Sequence, residues 1–550
     1  MESLNHGSLG RGQKYLIVLL VACWILAGLF GHEPWRQDEA YTFGMLVHII
    51  ETGDWVVPTL AGEPFMEKPP FFFYTAVLFG KLFSPPLTLP DAVRLSAGFF
   101  TALSALFLFL AARRWFGSAR AWFAPLALIS SPLLAKYAHL TITDNALLSA
   151  FCLMLYSWSL FPAKPLWAGV AGGTAIGMGL MTKGLIGPGI MAVTTLLLPG
   201  LFRSWRGKQI WAYMLVVACA ALPWLLIWPV ALYLRSPELF MQWFWDNNFG
   251  RFFGTHYDPR KTWFQFNYLE FIFLLGAPPT SYFAAWGLWK DRRELRGFVG
   301  WGIPLLCFGV CLLVLGTASN MRDLYGLPML APLSISAVLA GAHISEKWAK
   351  GLNRFFSGFF GLAGFAIWLG WFVMVTGWPA MLAQRFYDPA PEYVPGVMAV
   401  ALTGGILVSL LWFAVQRLFD QRIGRNVLLH WAAGLTLCWG LLNTLWMPWT
   451  DAWRNYRYML MDLKPHLPEA GMPIERVRIG EPLRALFHYY AGVQTTDAGS
   501  PTNATASWLL MEYKEEKDAS ELGDSWDLVW EGRHTENRRE VYRLYKRVVE

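Results

Sequence analysis

Seven short polar islands interrupt this 550-residue chain, and each carries residue types able to bind or move charge. They read WRQDEAY (Asp38, Glu39, Tyr41), GDW (Asp54), MEKPP (Glu67, Lys68), TITDN (Asp144), TKG (Lys183), NNFGRFFGTHYDPRK (Arg251, His256, Asp258, Arg260) and NMRDLY (Arg322, Tyr325). A carboxylate in such a setting can serve as a general base, orient an acceptor or steady positive charge developing on a substrate. Lysine and arginine suit an anionic group such as a phosphate, and histidine suits proton transfer or a metal. Each residue also has a plain structural reading. Asp38, Glu39 and Asp144 could cap helices, Glu67 and Lys68 could form an exposed ion pair worth little, and Arg322 and Tyr325 could anchor a helix end at an interface.

The islands must be positioned by what lies between them, and that is apolar. The chain is 55% hydrophobic and 15% charged, with 30 tryptophans, and its mean hydropathy is +0.36. Apolar runs approach or exceed the roughly 20 residues that span a bilayer, which predicts a mainly α, polytopic membrane protein. The net charge of +7 does not indicate nucleic acid, because the bases lie in short clusters between apolar runs rather than in a basic arm. All six cysteines (Cys23, Cys152, Cys219, Cys307, Cys311 and Cys438) fall inside apolar runs, so neither a disulfide framework nor a cysteine metal site is expected. The first run, behind Arg11 and Lys14, leads into WRQDEA rather than a small-residue cleavage site, and it reads as a retained span.

The predicted spans are 15–31, 92–112, 119–137, 144–161, 165–181, 184–202, 209–234, 264–289, 298–316, 324–342, 355–377, 394–416 and 427–447. The segment 69–83 is apolar but short, opens on two prolines and carries Lys81. If it crossed, the basic clusters at 113–120, 203–208, 290–296, 347–354 and 417–425 would all face outside, against the positive-inside rule. Lying in the interface, it leaves about thirteen spans, a cytoplasmic N-terminus and all seven islands on the external side. Acids and bases from distant parts of the chain then meet at one membrane face, and ionisable groups near hydrocarbon mark function by default. Residues 1–449 form the membrane domain, with an active-site loop at 32–91. Residues 450–550 are polar, with strand-like ERVRIG, ASWLLMEY, SWDLVWEG and EVYRLYKRV and a helical PLRALFHYYAG, which predicts a small external α/β domain.

DEAY, GDW, EKPP, TDN, TKG and the RFFGTH loop, in that order over about residues 10–450, resemble the lipid-to-acceptor glycosyltransferases of the GT-C class. Within it the chain is most similar to the bacterial lipid A aminoarabinose transferases, which are related to protein O-mannosyltransferases. The resemblance implies an undecaprenyl-phosphate-linked sugar donor and transfer at the periplasmic face of the bacterial inner membrane, by a monomer. It implies that Asp38 and Asp144, with Glu39 beside them, are the catalytic acids and that Lys68 meets the donor phosphate, assisted by Arg260, Arg322 and Tyr325. Tyr41, Lys183 and Arg251 are then substrate contacts, and Glu67 and His256 match positions associated with a divalent metal such as zinc. Adding an aminosugar to lipid A would reduce negative surface charge and weaken the binding of cationic antimicrobial peptides. The chain departs from the family three residues after the first acid, where Tyr41 replaces an arginine; this leaves the donor sugar and the acceptor open.

Physical chemistry is compatible with that implication. A polyprenyl phosphate keeps its phosphodiester at headgroup level, where a lysine about 4 Å away gains on the order of 4 kcal/mol at an effective dielectric near 20. The contact strengthens as the glycosidic bond breaks and the phosphate gains charge. Direct attack on C1 predicts inversion. A hydroxyl acceptor requires a base, for which Asp38 is the candidate, whereas a lipid A phosphate does not. Other readings are a protein or polysaccharide glycosyltransferase, a flippase for a lipid-linked sugar, and an anchored assembly protein with a partner-binding tail. Flippases usually place charges near the bilayer midplane and often show repeated halves; here the acids gather at one face.

Overall fold

The computed structural model describes residues 9–35, 37–250, 267–293, 299–316, 322–469, 471–513, 522, 525–536 and 540–548. Each expected span coincides with helix, but several are short or broken. Six described helices are long and apolar enough to cross a bilayer: Leu89–Phe116, Gln209–Arg235, Val299–Gly316, Glu346–Thr376, Ala399–Leu418 and Asn426–Leu445. The pair Leu269–Gly276 and Thr280–Lys290, bent by 115°, makes a seventh if counted as one span. The expected span 119–137 is divided into Ser118–Ala121, Phe123–Ile129 and Pro132–Tyr137. The second break falls just before a proline, which has no N–H to continue the helical ladder. The chain is a multi-pass membrane protein.

Helix α1 is Arg11–Leu26, α2 is Asp38–Thr52, α3 is Phe71–Phe83, α4 is Leu89–Phe116, α5 is Asp144–Leu160, α6 is Pro165–Lys183 and α7 is Gln209–Arg235. The 13 residues of α3 rise about 1.5 Å each and give roughly 20 Å, too short for a hydrocarbon core of about 30 Å. Length places α3, with Ile186–Leu201, among the shorter apolar helices rather than among those long enough to cross.

Local chemistry shapes the first loop. Asp38 and Glu39 occupy the first turn of α2, where free backbone amides favour acids. The helix ends at Gly53 with φ 70°, the left-handed conformation that glycine adopts at least cost. Asp54 then accepts the amides of Val56 at 2.9 Å and Val57 at 3.3 Å. GDW is thus a helix stop followed by an Asx-type turn. Strands β1 (Thr59–Leu60) and β2 (Glu63–Pro64) pair across Ala61 and Gly62, both at positive φ, 48° and 87°, as a two-residue hairpin turn requires. The Phe65 amide donates to the Pro58 carbonyl at 2.7 Å and closes the hairpin. The chain therefore reaches Glu67 and Lys68 by a fixed path, and Pro69 and Pro70 lead it into α3.

Helices α5 and α6 run antiparallel through the short connection 161–164, so Asp144 at the start of one lies at the same end as Lys183 at the finish of the other. Small residues bring α6 close to α7: a Cβ on Gly173 would stand 2.4 Å from the Val217 carbonyl oxygen, and one on Gly177 2.2 Å from Trp224. Such close backbone approach is how helices associate where lipid supplies no hydrophobic drive.

After the helix Met447–Arg454, which crosses the expected boundary at 449/450, the chain forms a five-stranded sheet of order β4-β3-β5-β7-β6. The strands are β3 (Ile474–Val477), β4 (Thr495–Asp497), β5 (Trp508–Tyr513), β6 (Trp526–Arg533) and β7 (Val541–Arg547), with helix α8 (Glu481–Leu486) between β3 and β4. The four strands read from the sequence are present; the three-residue β4 was too short to show a pattern. Alternation divides the central strands between two cores. Leu509, Met511 and Tyr513 face one, while Leu510, Tyr542 and Leu544 face the other, which also holds Ala40 of α2. The sheet domain thus packs directly on the helix that carries the first acid pair.

Candidate active site

The site is built around Asp38, which is 9% exposed. One helical turn on, the Tyr41 hydroxyl donates to its Oδ1 at 2.5 Å. Arg322, 284 residues away in sequence, donates from Nη1 to Oδ1 at 3.2 Å and from Nη2 to Oδ2, a fork-on-carboxylate arrangement. Lys68 donates to the Tyr41 hydroxyl, stands 3.9 Å from Asp38 Oδ1 and lies 4.6 Å over the Tyr41 ring. On the far side Tyr325 has the Arg322 guanidinium at 5.9 Å and the Lys183 ammonium at 4.4 Å from its ring centre. Lys183 in turn donates to Asp144 Oδ1. Asp144 is fully buried, and its Oδ2 has no hydrogen-bond partner among the described residues.

Asp38, Tyr41, Lys68, Asp144, Lys183, Arg322 and Tyr325, expected from sequence to meet, therefore form one continuous network. Glu67 borders it; its charge is felt by both Lys68 and Tyr41. Arg251, His256 and Arg260 lie outside the described residues. Among the described residues no three His, Cys, Asp or Glu side chains are arranged to hold a metal ion. Glu67 stands alone as a described candidate ligand, short of the three or four that zinc requires.

Electrostatics distinguish the members. Burial alone would raise the Asp38 carboxyl, but the Lys68 charge and the hydrogen bonds from Arg322 and Tyr41 outweigh it and hold the acid below its usual range. Burial lowers Lys68 below an ordinary lysine; Asp144 opposes this and Lys183 adds to it. Tyr41 is pushed well upward by burial and by Asp38, so its hydroxyl keeps its proton. The network thus holds an ionised Asp38 and a neutral phenol against the buried Lys68, while the Lys183 and Arg322 side chains stay partly exposed.

Glu39 is placed differently from the catalytic role expected beside Asp38. Its Oε1 accepts Arg94 Nε at 3.1 Å and the Thr141 amide at 3.0 Å, and its Oε2 accepts the Trp35 amide at 3.0 Å. Arg94 also donates to Asp91 at 3.0 Å, to the Leu29 carbonyl at 3.3 Å and to the His32 carbonyl at 3.0 Å. Glu39 is thus the hub that ties α2 to α4 and to the segment 141–143, which delivers Asp144. Sequence reading missed Arg94, although an arginine inside the expected span 92–112 was a visible signal. It also missed Asp323, which accepts Lys136 and, at 2.6 Å, the Tyr137 hydroxyl and so pins the loop that presents Arg322.

Residues 67–228 match the family model of dolichyl-phosphate-mannose-protein mannosyltransferases. An undecaprenyl phosphate-α-4-amino-4-deoxy-L-arabinose arabinosyl transferase of Yersinia enterocolitica is 25% identical over 437 residues, 78% of this chain and 75% of the relative. Its counterpart from Aeromonas hydrophila is 26% identical over 456 residues, 78% of this chain and 77% of the relative. The crystal structure of ArnT from Cupriavidus metallidurans bound to undecaprenyl phosphate superposes with a TM-score of 0.68 at 18% identity, covering 98% of both chains. The likeness in fold includes the C-terminal sheet domain as well as the membrane part. These findings bear out the resemblance carried by DEAY, GDW and EKPP: the chain is a glycosyltransferase with the GT-C fold, similar to the undecaprenyl-phosphate aminoarabinose transferases.

Proposed function

We propose that the chain transfers 4-amino-4-deoxy-L-arabinose, or a related aminosugar or pentose, from undecaprenyl phosphate to a phosphate of lipid A or a related envelope glycolipid, with inversion at C1. The observation that carries this reading is the convergence of Lys68, Lys183 and Arg322 on the two acids Asp38 and Asp144. Three cations in one partly desolvated network favour anionic groups on both donor and acceptor. Lys68 leaves the Tyr41 hydroxyl for the donor phosphate. As the C1–O bond breaks, its electron pair passes to the phosphate oxygen, and Lys68 stabilises the charge that develops there. An acceptor oxygen attacks C1 from the opposite face and forms the new bond.

The state of Asp38 supports a phosphate acceptor over a hydroxyl. A carboxylate held below its usual range by Lys68, Arg322 and Tyr41 is a weak base, and an ionised phosphate has no proton to lose. Asp38 then steadies positive charge on the sugar ring or binds the donor amine, and Asp144 Oδ2 is free to accept from a sugar hydroxyl or amine. The fit of a metal to Glu67 and His256 rests on resemblance alone, and no step is routed through one. The basic clusters and the sheet domain's position beside the site support a cytoplasmic N-terminus and a periplasmic C-terminal domain. The purified protein, given undecaprenyl-phosphate aminoarabinose and lipid A, should release undecaprenyl phosphate and add one aminosugar by mass spectrometry. Dephosphorylated lipid A should not react. Sugar appearing on a protein or glycan hydroxyl would move the acceptor, and translocation of intact donor without release of undecaprenyl phosphate would replace transfer by transport.

A further inference from the structure

Two acids of the first loop stand just ahead of the groups that do the chemistry: Glu33 precedes Asp38 by five residues, and Glu63 precedes Lys68 by five. Both are held by the C-terminal domain. Glu33 accepts Arg457 Nη1 at 2.9 Å and the Tyr490 hydroxyl at 2.7 Å. Glu63 accepts Arg476 through both oxygens, at 2.9 and 3.2 Å, and Arg484 at 2.6 Å. Arg476 is only 4% exposed and also donates to the Thr495 carbonyl at 2.5 Å; Arg484 reaches the Leu60 carbonyl at 3.3 Å. Both partners of Glu63 are therefore anchored on the sheet domain and on the hairpin at once.

Between these two clamps the domain touches α2 itself. A Cβ on Gly44 would stand 2.6 Å from the Ala485 Cβ of α8, and Ala40, between Glu39 and Tyr41, is buried among Leu460, Leu463, Leu483 and Leu486. Asp451 accepts the Glu33 amide at 2.9 Å and Trp35 Nε1 at 3.0 Å. Neither end of the active-site loop is fixed by the membrane helices alone. The paired hairpin at 59–64, Pro64 within the segment, and Pro69, which restricts the backbone of the Lys68 before it, leave little slack between Glu63 and Lys68, so displacement of the hairpin displaces the lysine.

We infer that the C-terminal domain is a positioning wall of the active site, with Glu63, Arg476 and Arg484 setting the place of Lys68 relative to Asp38. The domain's basic residues read the loop's acids within the same chain. An error near 1 Å in such a placement costs on the order of 100-fold in rate. The inference rests on the proposed role of Lys68 at the donor phosphate, and the test separates the two. Binding of undecaprenyl phosphate and kcat/KM are measured for the full chain, alongside its melting temperature. Lys68→Ala should weaken binding about 10-fold or more, which checks the phosphate role. Glu63→Gln should weaken binding to a similar degree and lower kcat/KM on the order of 10- to 100-fold in folded protein. The conservative Glu63→Asp keeps the negative charge between Arg476 and Arg484 and should retain most of the binding and turnover lost in Glu63→Gln at a similar melting temperature, which a general loss of stability would not do. If Glu63→Gln does not fold, Arg476→Lys with Arg484→Lys keeps the charge but loses the fork, and the same two measurements apply. Wild-type binding and turnover in the Glu63 or double-lysine variant, with both lost in Lys68→Ala, overturns the wall and leaves the phosphate role standing. Unchanged binding in Lys68→Ala overturns the phosphate role, and the wall is then decided by kcat/KM in Glu63→Gln against Glu63→Asp alone.

Discussion

Two neighbouring carboxylates, Asp38 and Glu39, show how one helix start can serve opposite ends. Glu39 points into protein and is saturated. Two backbone amides and an arginine, all immobile, occupy its oxygens, and burial is outweighed so that it too stays below its usual range. Among the described residues Asp38 is bonded by side chains alone: Tyr41 one turn along the same helix, Arg322 from far along the chain and, at longer range, Lys68. Arginine and lysine heads on flexible stems can be drawn off by a phosphate, whereas amides of a folded segment cannot. The difference between structure and chemistry at these adjacent positions lies in whether a partner can be exchanged, since charge and burial are similar.

Substitutions at the two acids should break that symmetry in opposite directions. Asp38→Asn keeps the shape and removes the charge that three donors surround; transfer should fall about 1,000-fold, with melting little changed. Turnover within 10-fold of wild type would remove Asp38 from the chemistry. Glu39→Gln removes one of the two counter-ions that buried Arg94 has among the described residues and leaves it Asp91 alone, a loss of about 1–3 kcal/mol in stability. Its melting temperature should drop markedly, while the molecules that remain folded turn over far better than Asp38→Asn. If Glu39→Gln melts normally but is inactive, the contrast between the pair is wrong.

Lys68 sharpens the comparison through pH. Its proton is held less firmly than in a free lysine, so the free enzyme loses the cation at a lower pH than usual. The kcat/KM profile, which reports the free enzyme, should fall on the alkaline side below the ordinary lysine range. Bound donor phosphate raises the lysine again and should carry the kcat limb to higher pH. Lys68→Arg stays charged throughout and should lose the alkaline limb, at a cost of about 10-fold in rate from altered geometry. An unchanged limb in Lys68→Arg would assign it to another group.

Much of this was legible in residues. Helix positions followed from apolar runs, and α3 has the short length read from the sequence for 69–83. The DE, EK, TDN, TKG and RDLY islands met as expected because topology places them at one end. What escaped was set by tertiary contact. Nothing in DEAY distinguishes the acid that faces Arg94 from the one that faces Arg322, since adjacent helical residues differ by only 100° in direction. The bond from Lys68 to the Tyr41 hydroxyl and the grip of Arg476 and Arg484 on Glu63 join positions 27 and more than 400 residues apart, and no local pattern encodes such pairings. Within the GDW motif, Gly53 supplies a helix stop and Asp54 a turn, local roles that the motif alone does not spell out.

The smallest effect is expected at Tyr41, and it tests the exchangeable side of the comparison most finely. Tyr41→Phe keeps the ring under the Lys68 ammonium and against Phe65 and removes only the hydroxyl that links lysine to acid. Asp38 then loses a donor that favours its ionised form. Its acid strength should weaken, and because activity requires the carboxylate, the acid limb of kcat/KM should move to higher pH. A hydrogen bond to a charged group contributes about 1.5–3 kcal/mol, and 1.36 kcal/mol is one pH unit. With Arg322 and Lys68 still in place, the shift should be roughly one unit and the plateau should fall by less than about 10-fold. A plateau loss without a moved limb would make Tyr41 a packing residue. A moved limb with no plateau loss would mean that the phenol tunes Asp38 without helping to place Lys68, and it would locate the exchange of partners at Arg322 instead.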